Sequence, residues 1–221
     1  MKKLLLLSVC AIFFSASLFA QTSKKELKKE DRELTKEVKE KAVRNARRDA
    51  RKMKKEGWKV NPGTLPLDKL TENAWKKQLQ TDEKGDPRYI TADGDAVAKT
   101  KTAAELQAIE MGKLQLAGLI ESNISALISG NIANAQLSTK DAASVTEIVA
   151  SSKNLIATKL WYVNPFYKVY KNIGDNKVKV QVKLFYDTKQ SLQIAKKVVR
   201  KELKDKLKLN EEKLEKLMGI N

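Results

Sequence analysis

From Lys177 to Asp187 the chain alternates with a period of two, and this run limits the fold more than any other segment. Val178, Val180, Val182, Leu184 and Tyr186 fall on one side, and Lys177, Lys179, Gln181, Lys183, Phe185 and Asp187 on the other. Successive side chains of a strand point to opposite faces, so the pattern predicts a half-buried antiparallel strand. Such a strand needs a partner. Lys159 to Lys171 supplies one through a turn at Ile173-Gly174-Asp175-Asn176. Pro165 cannot donate to a ladder, so this partner is an edge strand or carries a bulge at Asn164-Pro165.

Around this hairpin the period is helical. A long helix is expected from about Ala96 to Ile128. Leu106, Ile109, Leu116, Ala117, Ile120, Ile124, Leu127 and Ile128 make one face, and Met111, Leu114 and Leu119 widen it. Ala103, Ala104, Ala108, Gly112 and Gly118 permit close backbone approach. A helix this apolar around its girth is a core element. A second helix is expected from Thr139 to about Thr158, with Ser138 and Asp141 as its capping signal and Ala142, Val145, Ile148, Val149, Leu155 and Ile156 inward. Leu192, Ala195, Val199 and Leu203 place a helix after the hairpin, and Leu214, Leu217 and Met218 a short last one capped by Asn210. The fold class expected is α+β, with long helices packed on a small antiparallel sheet whose hairpin spans about 159–187.

The N-terminal part reads as three further segments. Residues 1–20 have the order of a cleavable export signal: Met1-Lys2-Lys3, an apolar core from Leu4 through Phe14, and a small residue at Ala20. The apolar run is shorter than the ~20 residues a spanning helix needs, so no transmembrane span is expected after cleavage. Leu7-Ser8-Val9-Cys10 resembles a lipobox poorly, because Val9 stands where a small residue is required. Residues 21–57 read as a basic amphipathic helix. Between 22 and 56 it carries 15 Lys or Arg against 8 Asp or Glu, with Leu27, Leu34, Val38, Ala42, Ala46, Ala50 and Met53 as a narrow stripe and Gly57 as the stop. Residues 58–95 read as a connector with a short helix (Leu67, Leu70, Ala74, Trp75, Leu79) and a loop over 81–95 holding one short strand at Arg88–Ala92. The α+β core domain is expected over 96–221.

Composition removes whole classes of chemistry. The chain has no histidine, and its one cysteine, Cys10, leaves with the signal. The commonest general base and the preferred zinc ligands are therefore missing from the mature chain, and no Ser-His-Asp or Cys-His nucleophile can be assembled. Phosphate-binding glycine motifs are absent as well. The acids of 81–95 do not have calcium-loop spacing. Carboxylate-only or Ser-Lys chemistry stays open but unmarked. No catalytic residue, metal ligand or cofactor is expected, and the protein is read as not an enzyme.

Two sets of residues remain as site candidates. Arg44, Arg47, Arg48, Arg51 and Lys52 cluster on the basic helix and would bind an anionic surface or partner. The formal charge of +17 suggests nucleic acid in a cytoplasmic protein. An exported chain meets phospholipid headgroups and envelope polymers instead, so no nucleic-acid partner is expected. Trp161, Tyr162, Phe166 and Tyr167, with Tyr170, concentrate five of the thirteen aromatics on the edge strand. Cross-strand packing explains them, and a glycan or peptide platform is the sharper alternative.

The stretch Ala103-Ala104-Glu105-Leu106-Gln107-Ala108-Ile109, its continuation Leu116-Ala117-Gly118-Leu119-Ile120, and Leu160-Trp161-Tyr162 leading into Val178–Tyr186 resemble the LPP20-like group of exported bacterial envelope proteins, over about residues 99–188. The resemblance implies long helices on a small antiparallel sheet and a place in the cell envelope. It implies no activity and carries over no functional residue. Many such proteins are lipid-anchored, and the poor lipobox at Cys10 departs from that. The function expected is that of a non-enzymatic envelope protein, periplasmic, outer-membrane-associated or extracellular, acting through protein or anionic-surface contacts. The alternative is a small-ligand domain using the aromatic edge strand. Homo-oligomer formation through the striped helix or the edge strand stays open.

Overall fold

The computed structural model describes Lys36, residues 40–160 and residues 163–219. The chain divides into two compact units, Met1–Asn45 and Ala46–Asn221. Of the first, the described residues (Lys36 and 40–45) are helical. The remainder of the expected basic helix and the expected signal segment 1–20 lie outside the described residues.

The second unit starts with a helix, α1, over 46–55. Then come β1 (Lys59–Val60), α2 (Leu67–Gln78), β2 (Tyr89–Ala98), α3 (Lys101–Asn131), α4 (Thr139–Ser151), α5 (Lys153–Lys159), β3 (Tyr167–Asn172), β4 (Val178–Asp187), α6 (Thr188–Leu207) and α7 (Glu211–Met218). The four strands form one antiparallel sheet in the order β1-β3-β4-β2. The fold is α+β. The period-two run that anchors the sequence reading is β4, a central strand. The β3–β4 turn at Gly174, Asp175 and Asn176 has positive φ throughout, which glycine and asparagine tolerate best.

Register sorts the sheet into two faces. Val180, Val182 and Leu184 of β4 lie opposite Ala96, Gly94 and Ala92 of β2, and this inner face packs on α3. Around α3 gather Val145, Ile148 and Val149 of α4, Ile156 of α5, Ala195, Val199 and Leu203 of α6, and Leu214, Leu217 and Met218 of α7, forming one large core. The outer face carries Tyr167 and Val169 of β3, which form a second, smaller core with Ala50, Trp58, Leu67 and Ala74. Helices α1 and α2 therefore cover part of the sheet side that α3 leaves open.

Several expectations are corrected. The stretch 58–95 supplies β1 and most of β2, so it contributes two of the four strands rather than a connector. The short strand expected at Arg88–Ala92 is in fact the ten-residue β2, paired with β4 from Tyr89↔Asp187 to Ala98↔Val178, so the loop expected over 81–95 ends at Arg88. Helix α3 accordingly begins at Lys101 instead of Ala96, with Thr100 as its cap accepting the Ala103 amide. The expected helix from Thr139 to Thr158 breaks at Ser152, whose hydroxyl donates to the Val149 carbonyl at 2.7 Å and competes with the helical ladder there. The partner strand expected from Lys159 begins only at Tyr167, beyond Pro165, and it is not an edge strand, because β1 pairs its other side at Lys59↔Tyr170 and Val60↔Val169.

The apolar face of α3 is also corrected. Leu106 (62% exposed), Met111 (55%), Leu114 and Leu119 face solvent, as does Leu155 of α5. The buried residues are Ala104, Ala108, Gly112, Leu116, Ile120, Ile124 and Ile128, a row of four-residue steps, with Ala117 beside it. At about 100° per residue such a row winds by about 40° per step. It therefore leaves the large residues of the first half outside, while small ones meet the sheet.

Candidate functional site

Helix α1 buries Ala46 and Ala50 and half-buries Met53, so its other sides carry the charge. Arg47, Arg48, Arg51 and Lys52 are all exposed, and Arg44, in the first unit, is exposed as well. Arg47 and Arg51 lie one turn apart, as do Arg48 and Lys52. Their roles differ. Arg47 approaches Glu72 of α2 at 3.8 Å, and Lys52 lines the cleft described below. Arg48 and Arg51 have no ion pair among the described residues. Elsewhere several lysines find carboxylates: Lys168 with Glu105 at 2.5 Å, Lys179 with Asp95 at 2.7 Å, Lys183 with Asp93 at 2.8 Å, and Lys204 with Glu211 at 2.7 Å.

Glu72 is the hub that ties α1 to α2. Its side chain is 9% exposed and faces Lys76 at 2.6 Å, Lys69 at 3.7 Å and Arg47. The Lys76 hydrogen bond, then the charges of Lys69, Lys76 and Arg47, outweigh burial and hold its carboxyl below the usual carboxylate range. Lys54 and Asp68, 3.6 Å apart, add a second link between the same helices.

Between α1, α2 and the outer sheet face lies a cleft of about 440 Å³. Trp58, Trp75, Met53 and Tyr167 give it apolar walls, while Asp49, Glu56, Lys52 and the Asp93–Lys183 pair make its polar margin. Burial, followed by the nearby charges of Asp93 and Asp49, pushes the Tyr167 phenol up to about 12. The hydroxyl thus stays protonated as a donor. Trp58 is buried in the smaller core, its indole N–H donating to Glu56 at 3.2 Å.

The four platform residues do not gather on one exposed surface. Tyr167 is buried in the smaller core, where it packs with Val169. Phe166 is half-buried and stacks edge-on against Phe185, with centroids 5.0 Å apart. Trp161 and Tyr162 lie outside the described residues. Of the two described, Tyr167 alone lines the cleft, where it meets Trp75 of α2 and Trp58 of the segment before β1. Only the register of β3, which turns Tyr167 toward α1, could have signalled this in the sequence.

The acidic loop before β2 is occupied by its own backbone. Asp82 accepts the amides of Lys84 at 2.9 Å and Asp86 at 3.2 Å. The first of these bonds is the main reason that its carboxyl sits below the usual range. No group of three or more metal-ligating side chains occurs among the described residues, and no described helix is long and apolar enough to cross a membrane.

Comparison of the chain with protein-family models, with curated proteins and with solved structures gives no match.

Proposed function

We propose that this chain is a non-catalytic, exported envelope protein of the LPP20-like kind that works by contact, with the basic side of α1 meeting an anionic envelope surface or an acidic envelope protein. One observation carries the reading. Arg48 and Arg51 stand exposed and without carboxylates among the described residues, each one turn from another exposed cation of the same helix, Lys52 and Arg47 respectively. Exposed, unpaired guanidinium groups offer bidentate donors to phosphate or carboxylate. The order of charge, apolar core and small residue in 1–20 supports export. The chain carries no histidine for the usual acid–base or metal chemistry.

The test is cosedimentation with vesicles containing phosphatidylglycerol at low and high salt. The full chain is expected to bind, and to release as screening grows. Arg48→Glu with Arg51→Glu is expected to weaken binding by at least about tenfold, since each basic residue near an anionic surface contributes roughly 1 kcal/mol. Equal binding by the variant sinks the reading.

A second reading follows from the cleft. Its two tryptophans and the protonated Tyr167 hydroxyl suit a small ligand with an apolar face and an acceptor group. This moves the expected ligand platform from the edge strand to the α1–α2 side. Thermal shifts against glycans and short peptides that vanish in Trp75→Ala would favour it, and an unresponsive protein would count against it.

A further inference from the structure

Three lysines lie on α2, and one of them is held differently. Lys69 and Lys76 both reach Glu72. Lys77 has no ion pair among the described residues. Its ammonium lies 4.5 Å from the centroid of the Tyr89 ring, 5.1 Å from that of Phe166 and 5.4 Å from that of Phe185.

The rings come from three places in the fold. Tyr89 opens β2, Phe166 precedes β3 and Phe185 sits near the end of β4. Register puts Phe185 opposite Thr91, and so diagonal to Tyr89 on the same outer face. The Phe166 amide donates to the Lys183 carbonyl at 2.7 Å, which fixes the third ring beside β4. The rings also brace one another. Tyr89 and Phe185 meet edge-on at 6.2 Å and 89°, and Phe166 and Phe185 at 5.0 Å and 67°. Ring–ring packing builds this enclosure without help from Lys77. All three aromatics and Lys77 are half-buried, so solvent reaches the site.

A primary ammonium is a poor match for such a place. Its three N–H groups are strongly hydrated, and ring faces replace that water incompletely. A fully N-methylated ammonium has no N–H to leave unpaired, and its methyls spread positive charge over the ring surfaces; aromatic cages recognise such groups. We propose that Tyr89, Phe166 and Phe185 form a binding site for a small soluble quaternary ammonium compound, with Lys77 as its intramolecular occupant. A ligand enters by displacing the lysine, which then swings into water from the end of α2.

The probe is tetramethylammonium chloride, with sodium chloride at equal ionic strength as control, read from the aromatic resonances of Phe166 and Phe185. The full chain should show weak saturable binding. Lys77→Met, which keeps the aliphatic stem and removes the one cation shared by all three rings while the Arg88 guanidinium stays 5.4 Å from the Tyr89 centroid, should bind about tenfold more tightly, and adding Phe185→Leu should abolish the response. A folded Lys77→Met protein without saturable shifts overturns the site, as does binding that survives Phe185→Leu. A second measurement needs no variant. Saturating tetramethylammonium should raise several-fold the rate at which an amine-directed acylating reagent modifies Lys77 in the unchanged chain, and an unchanged rate overturns the displacement. Capture by phosphatidylcholine vesicles with no response to soluble choline would put the group on a lipid and overturn the soluble assignment.

Discussion

Gly94 of β2 and Gly112 of α3 meet backbone to backbone: a methyl group on Gly94 would lie 2.6 Å from the Gly112 amide nitrogen and 2.0 Å from the Ala108 carbonyl oxygen. No side chain separates helix and strand at this crossing. The neighbouring positions, Ala92, Ala96, Ala104 and Ala108, are small for the same reason. Gly94→Ala is therefore expected to force the two elements apart, at a cost of at least about 3 kcal/mol, because the obstructing atoms are backbone. Gly118 offers the control. A methyl there meets only the flexible end of Lys153, 3.3 Å away, so Gly118→Ala should change stability by less than about 1 kcal/mol. Urea unfolding of the two variants checks the contrast, and equal midpoints would refute the crossing.

The same crossing explains what the sequence hid. β4 was legible because Val180, Val182 and Leu184 are large and alternate with polar residues. β2 obeys the same alternation, but after Ile90 its inward positions are Ala92, Gly94, Ala96 and Ala98, too small to register as an apolar face. They are small because α3 lies directly on them. Its outward Asp93 and Asp95 look like loop residues until Lys183 and Lys179 are seen opposite or diagonal to them. In α3, Leu106 and Leu114 read as core because they are apolar, whereas the helix buries the four-step row through Ala108 and Gly112. That Arg47 belongs to Glu72 while Arg48 and Arg51 do not depends on α2, which no local pattern reveals. The cage around Lys77 joins residues far apart in the chain and left no local signal.

Tyr167 makes the protein sensitive to alkali. Its phenol is pushed up to about 12, first by burial and then by Asp93 and Asp49, against about 10 in the unfolded chain. Between these values the folded state keeps a proton that the unfolded state has lost. The corresponding stability is complete below about pH 10 and disappears as pH rises toward 12. Stability followed by urea denaturation across this window should fall more steeply for the unchanged chain than for Tyr167→Phe. Parallel curves would mean that the hydroxyl is more open to water than its burial implies.

Glu72 should matter at the opposite end of the scale. Lys76, Lys69 and Arg47 hold its carboxyl below the ordinary value, so its contribution is present above the unfolded pKa and is lost as pH falls through the lowered one. The three cations are largely exposed, which keeps the effect under about 1 kcal/mol. Glu72→Gln should narrow the difference in urea midpoint between pH 7 and pH 3. A variant that loses as much on acidification as the unchanged chain would show the hub to be energetically idle.

Helix α7 tests whether the C-terminal residues belong to the core or merely decorate it. Eight residues form no stable helix alone in water, so Glu211–Met218 must be held from outside and at its ends. The Asn210 side chain accepts the Lys213 amide at 3.0 Å, and Gly219 closes the other end in the left-handed region. Glu211 binds Arg200 and Lys204 of α6, which pulls its carboxyl down to about 2, with Lys204 the larger influence. Leu214, Leu217 and Met218 are fully buried against the large core. Burial outweighs capping in this balance. Leu217→Ala should cost about 2–5 kcal/mol, and Asn210→Ala only about 1 kcal/mol. If α7 is integral, its slowest amides exchange by global unfolding, at rates that match those of β4, and Leu217→Ala accelerates both together. Acceleration confined to α7 would show that the helix opens as a separate unit.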